Sequence, residues 1–185
     1  MNVLVSNNQI IVRSIEKDLT KEEWGSKNVD FGMIWRKNYI VLDPLVDGSF
    51  GSWFLIDRTD TIIEDRNAQR SALIPFEITN KNEFCISTVS ESIFLYEDKT
   101  VDLEIKSKKG KYYPLNEVDN NLKFEQGEYS LHFQVCVGKI DETTSKEDEV
   151  YYRFTFIKRG NPEFKVLLED AYGWNKSTIF LKEKQ

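Results

Sequence analysis

Apolar and polar residues alternate through most of the chain between Ala72 and Leu168. Alternation at period two places successive side chains on opposite faces of an extended strand. The pattern is plainest after Gly127-Glu128, where Tyr129, Leu131, Phe133, Val135 and Val137 share one face and Ser130, His132, Gln134 and Cys136 the other. Val101, Leu103 and Ile105 oppose Asp102 and Glu104 in the same way. Runs rich in aromatic and β-branched residues predict further strands at Gln9–Val12, Met33–Leu42, Trp53–Ile56, Ala72–Ile78, Phe84–Thr88, Ile93–Tyr96, Tyr151–Ile157 and Phe164–Leu168, with Thr178–Leu181 as an edge strand. Asp43-Pro44, Asp47-Gly48-Ser49-Phe50-Gly51 and Arg159-Gly160-Asn161-Pro162 supply turn chemistry between them. Thr20-x-x-Glu23 has capping-box spacing and predicts one short helix, ended by Gly25 and Asn28. The charged stretch Asp57–Arg70 reads as mainly an exposed loop. The expectation is an all-β chain: a single-domain antiparallel β-sandwich spanning residues 1–185, with about nine to eleven strands and one short helix.

Composition narrows the class without naming a task. A chain of 185 residues buries enough surface to need no disulfide or metal for its core. Cys85 and Cys136 are far apart and form no C-x-x-C, which points to a reducing compartment. The opening residues have neither a basic n-region nor an apolar h-region, and no run approaches the ~20 apolar residues of a membrane span. A cytoplasmic protein with no membrane partner is expected. With 31 acidic against 25 basic residues, the net charge of −6 works against general nucleic-acid binding.

Catalytic vocabulary is sparse. His132 is the one histidine, so multi-histidine metal sites are excluded. Within its strand, Cys136 lies about 13 Å from His132 at ~3.3 Å rise per residue, too far for a nucleophile and its base. Cys85, on another strand, is the remaining thiol that could meet His132. Asp57, Asp60, Glu64 and Asp65 offer oxygen ligands for calcium, although Arg58 and Arg66 are interspersed and the spacing matches no EF-hand loop. Lys106 to Tyr113 forms a basic hairpin tip with two tyrosines, a composition that suits single-stranded nucleic acid but also keeps an exposed hairpin from pairing. The tryptophans are core candidates, with Trp174 the one expected to be exposed. The stretch from Asp141 to Glu149 carries five acids, Asp141, Glu142, Glu147, Asp148 and Glu149, against Lys146, and suits a basic partner. No catalytic residue, metal site or cofactor is assigned.

Several segments, in order, resemble the competence protein J family, bacterial inhibitors of a DNA-entry nuclease. They are Asn8-Gln9-Ile10-Ile11-Val12, Trp24 in an acidic stretch, Gly32 with Ile40-Val41-Leu42-Asp43, and Trp53-Phe54-Leu55-Ile56. The sharpest is Ala72-Leu73-Ile74-Pro75-Phe76-Glu77-Ile78 with Phe84-Cys85-Ile86-Ser87 after it, and Gly127-Glu128-Tyr129-Ser130-Leu131 closes the series. The chain departs from the short family form in its basic hairpin and in running well past Val137. The resemblance implies a non-enzymatic inhibitor or immunity protein that occludes a cognate basic nuclease or toxin. The residues alone leave open a second class, a small-ligand module for carbohydrate or calcium.

Overall fold

The computed structural model describes residues 2–5, 9–16, 32–44, 52–89, 92–95, 111–112, 124–140, 147–170 and 174. Among them are twelve strands: β1 (Asn2–Val3), β2 (Ile10–Arg13), β3 (Met33–Arg36), β4 (Tyr39–Leu42), β5 (Ser52–Thr59), β6 (Ala68–Ile78), β7 (Cys85–Ser87), β8 (Ser92–Phe94), β9 (Lys111–Tyr112), β10 (Gly127–Gly138), β11 (Glu149–Lys158) and β12 (Lys165–Leu168). They form two six-stranded sheets, ordered β1-β5-β11-β10-β6-β12 and β3-β4-β2-β7-β8-β9. Most pairs are antiparallel, but β5 runs parallel to β11 and β9 parallel to β8, so the sheets are mixed rather than wholly antiparallel.

The sandwich follows from the alternation. Tyr129, Leu131, Phe133 and Val135 of β10 meet Tyr152, Phe154 and Phe156 of β11, and Ala72, Ile74 and Phe76 of β6, in one buried cluster with Ile10, Val12, Ile40, Leu42 and Ile86 of the second sheet. Aromatic rings fill its middle. Phe84 packs edge-on against Phe124 at 4.9 Å and Phe156 at 5.2 Å between ring centroids, a favoured geometry for such pairs.

Two expected elements come out differently and a third differs at its ends. Met33–Leu42 is two strands, because Arg36 pairs with Tyr39 and Lys37-Asn38 make a two-residue connection. That split, with the two-residue strands β1 and β9, takes the number of strands past the expected range. Asp57–Arg70 is mainly connection, as expected, but its two ends are strand: β5 runs to Thr59 and β6 begins at Ala68. Lys111-Tyr112, placed in the basic tip, form strand β9. The helix at Thr20–Glu23, Trp24, the strands at Val101–Ile105 and Thr178–Leu181, and the rest of the basic tip lie outside the described residues.

Two features tie the layers together. Strand β12 covers β6 only from Ser71 to Leu73. Beyond it the β3–β4 hairpin reaches across: Trp35 Nε1–H donates to the Pro75 carbonyl at 2.8 Å, and the Glu77 N–H donates to the Lys37 carbonyl at 2.6 Å. At the other end, Arg70 is fully buried, donating through Nε to Asp170 Oδ2 at 2.5 Å and through Nη1 to the Asp43 carbonyl at 3.1 Å. Its guanidinium lies 4.4 Å from the Trp174 ring centroid. Trp174, expected on the surface, is 0% exposed because it covers this cation and packs on Phe133.

Candidate partner-binding surface

Strands β10 and β11 form a long hairpin, with Gly138 opposite Glu149 at its far end. The acidic loop is the connection between them. Glu147 and Asp148 are exposed there, whereas Asp141 and Glu142 lie outside the described residues. Glu149 differs in kind: it is half-buried at the start of β11, and its Oε1 accepts the Trp53 indole N–H at 2.9 Å. The sequence supplied no sign of that bond, since Trp53 read as a core residue. The register, which sets Trp53 beside Tyr151, is what brings it within reach.

The segment after β5 folds back over the outer face of this hairpin. Gln134 clamps it, accepting the Asp65 N–H at 2.8 Å and donating to the Ile63 carbonyl at 2.9 Å. Tyr151 donates its hydroxyl to Asp65 at 2.7 Å, and Asn67 Nδ2 donates to the Tyr151 oxygen at 3.0 Å and the Lys139 carbonyl at 2.9 Å. Burial, then the Asp65 hydrogen bond, raises the Tyr151 phenol above its ordinary value. Gly138 makes the close approach possible. Its φ is +151°, and a Cβ there would lie 2.6 Å from the Asn67 side chain. Asp60 and Glu64 remain exposed on this segment, which meets the base of the acidic hairpin through Asn67.

Asp57 and Asp65 are engaged by a cation already on the sheet. Arg153 Nη1 lies 2.9 Å from Asp57 Oδ2, and its Nη2 lies 3.4 Å from Asp65 Oδ2. Among the described residues no group of three His, Cys, Asp or Glu side chains could hold a metal ion. Two of the four carboxylates in the calcium reading, Asp57 and Asp65, are thus committed to a guanidinium.

The same folded-back segment lies on the face of β10 that carries His132. His132 is 0% exposed, although its strand face reads as polar. Its Nε2 is 2.7 Å from Ser71 Oγ, and its Nδ1 has no partner. Burial first, and Arg153 second, push its pKa down to about 4, so the ring is neutral at pH 7. A serine beside a histidine is the start of a nucleophile–base pair. Here both are buried, and no carboxylate orients Nδ1. Cys136, on the same face, is also buried, and desolvation pushes its thiol up to about 12, far from the thiolate a nucleophile needs. Cys85 lies on β7, paired with Arg13, on the outward side of the second sheet. The sandwich core therefore separates it from His132, which removes the Cys85–His132 pairing.

Two mixed six-stranded sheets closed on an aromatic core define an all-β sandwich whose hairpin end is rimmed with carboxylates. The family model described as Competence protein J (ComJ) matches residues 2–157, and the chain belongs to that family. Among solved structures, it is similar to ComJ from Bacillus subtilis, the inhibitor of the DNA-degrading activity of NucA. The TM-score is 0.56 at 10% identity, covering 86% of this chain and 94% of that one, a likeness of fold. No curated protein matches.

Proposed function

We infer that this chain is a non-enzymatic inhibitor or immunity protein that binds a cognate bacterial nuclease or toxin and occludes its active site. The observation that carries this reading is the competence protein J match across residues 2–157. The Bacillus subtilis protein of like fold inhibits the DNA-degrading activity of NucA. The residues agree with that role. Occlusion asks for a stiff surface that loses little freedom on binding, and the Gln134, Tyr151 and Asn67 bonds hold the hairpin end in one arrangement. It asks for no cofactor, and the enclosed His132 and Cys136 offer no reagent to a substrate.

Charge supplies the complement. A nuclease site that holds DNA phosphates is electropositive. The acidic stretch that joins β10 to β11, with Asp141, Glu142, Glu147, Asp148 and Glu149, is what we assign to that partner, because opposite charge speeds encounter and fixes orientation. The same carboxylates repel nucleic acid, so the chain acts on the enzyme and not on its substrate. Two free, buried thiols suit the cytoplasm.

Titrating the purified chain into a fluorescent-DNA cleavage assay, run with each nuclease of the source organism, tests the reading. Cleavage by one of them is expected to vanish at stoichiometric inhibitor, with added salt weakening the effect. Undiminished cleavage across the whole set would exclude an inhibitor.

A further inference from the structure

A groove of about 490 Å³ opens where the β3–β4 hairpin faces the chain leading into β12. Trp35, Pro75, Phe76 and Phe164 give it apolar surface, and Lys37, Glu128 and Glu163 give it charge. Both half-exposed rings are held in place. The Trp35 indole is tied to the Pro75 carbonyl, and Phe164 packs edge-on against buried Trp174 at 6.4 Å.

The charges do not balance. Lys37 Nζ lies 3.2 Å from Glu77 and 3.1 Å from Glu128, so the groove's one ammonium is already shared between two carboxylates. Glu128 also accepts the Asn161 N–H at 3.1 Å, and these bonds hold its carboxyl below the usual range. Glu163 lines the same groove, is exposed, and has no ion pair among the described residues.

An aromatic ring lining one groove with a carboxylate that has no ion pair among the described residues suits recognition of a cation. Arginine fits better than lysine. Its planar, weakly hydrated guanidinium stacks on a ring while forking onto a carboxylate, whereas an ammonium stays hydrated. A neutral apolar side chain would bury Glu163 without a partner, and a phosphate would meet it as a like charge. Asn161 to Phe164 lie beyond residues 2–157, so this lip belongs to the part of the chain that the family model does not match.

We propose that this groove receives an arginine side chain from the surface of the inhibited nuclease, stacked on Trp35 and paired with Glu163, and that it helps set which nuclease the chain accepts. The inference rests on the inhibitor reading and adds a second contact, separate from the acidic hairpin end. Arginine anchors of this kind dominate many interfaces.

The test compares inhibition constants of wild type, Glu163→Gln and Glu163→Lys against the nuclease that wild type inhibits. Loss of the charge-assisted contact is expected to weaken inhibition about tenfold in Glu163→Gln, chiefly through faster dissociation, and further in Glu163→Lys. Unfolding midpoints equal to wild type confirm that both variants are folded. Wild-type inhibition that neither variant weakens overturns this inference and leaves the inhibitor reading standing. Failure of wild type to inhibit any nuclease removes both. A nuclease-free probe adds a second readout: N-acetyl-arginine amide is expected to shift the Trp35 indole resonance, and its neutral isostere N-acetyl-citrulline amide to leave it in place. Equal response to the two would also overturn the assignment.

Discussion

Single residues show how this sandwich uses polar groups inside its outer layer. His132 is the sharpest case, because its folded-state pKa of about 4 lies below the ordinary 6.5. Above pH 6.5 the ring is neutral in both states, and its burial carries no protonation penalty. As pH falls from 6.5 towards 4, the unfolded chain takes up a proton that the folded chain refuses, so stability drops by about 3 kcal/mol over that window. Urea unfolding at pH 7.5, 5.5 and 4.5 is expected to show this loss in wild type and a shallower one in His132→Asn. Parallel pH profiles would mean that the ring is not the titrating group. Arg70 and Asp170 make a second case, with side chains only 0% and 4% exposed. Asp170→Asn leaves the guanidinium buried without its counter-charge and is expected to cost about 3–5 kcal/mol, read as a lowered urea midpoint. Neither role was legible in the sequence. Arg70 and Asp170 are separated by 100 positions, and Trp174 in a turn-like context carries no mark of the cation it covers.

At the scale of elements, strands with strict alternation were legible and polar connections were not. Strand β10 matches its expectation because every second residue from Tyr129 to Val135 enters the core. Asp57–Arg70 was only partly legible because two of its carboxylates are satisfied by partners far along the chain, with Tyr151 86 positions from Asp65 and Arg153 96 positions from Asp57. The predicted acidic rim proved uneven for a similar reason, since Glu149 turned out to be bonded to Trp53 across the sheet. The folded-back segment depends on Gly138. Gly138→Ala forces a Cβ against an Asn67 side chain that its bonds to Lys139 and Tyr151 keep from yielding. A cost of about 1–3 kcal/mol is expected from the strained φ, together with faster amide hydrogen exchange across residues 63–67. Tyr151→Phe, which removes a buried hydroxyl bonded to Asp65, is expected to produce the same exchange pattern at about 1–2 kcal/mol. Unchanged exchange in both would show that the segment is held by other contacts.

For the molecule as a whole, the proposed inhibition divides into steering and anchoring. Replacing Asp141, Glu147 and Asp148 by lysine is expected to slow association about tenfold at low salt and to flatten its salt dependence, with dissociation little changed. Stopped-flow association against the nuclease measures this, and an unaltered on-rate would move the interface elsewhere. The order of strands has a consequence of another kind. β5 and β6 are neighbours along the chain, yet the β10–β11 hairpin sits between them in the sheet. On the ribosome, β6 cannot meet its main partner until translation has passed Gly138, nor β5 its own until Lys158, so Phe54, Ile74 and Phe76 wait unpaired through most of synthesis. A message truncated before the last third of the reading frame would therefore yield chaperone and protease clients instead of a weaker version of the protein.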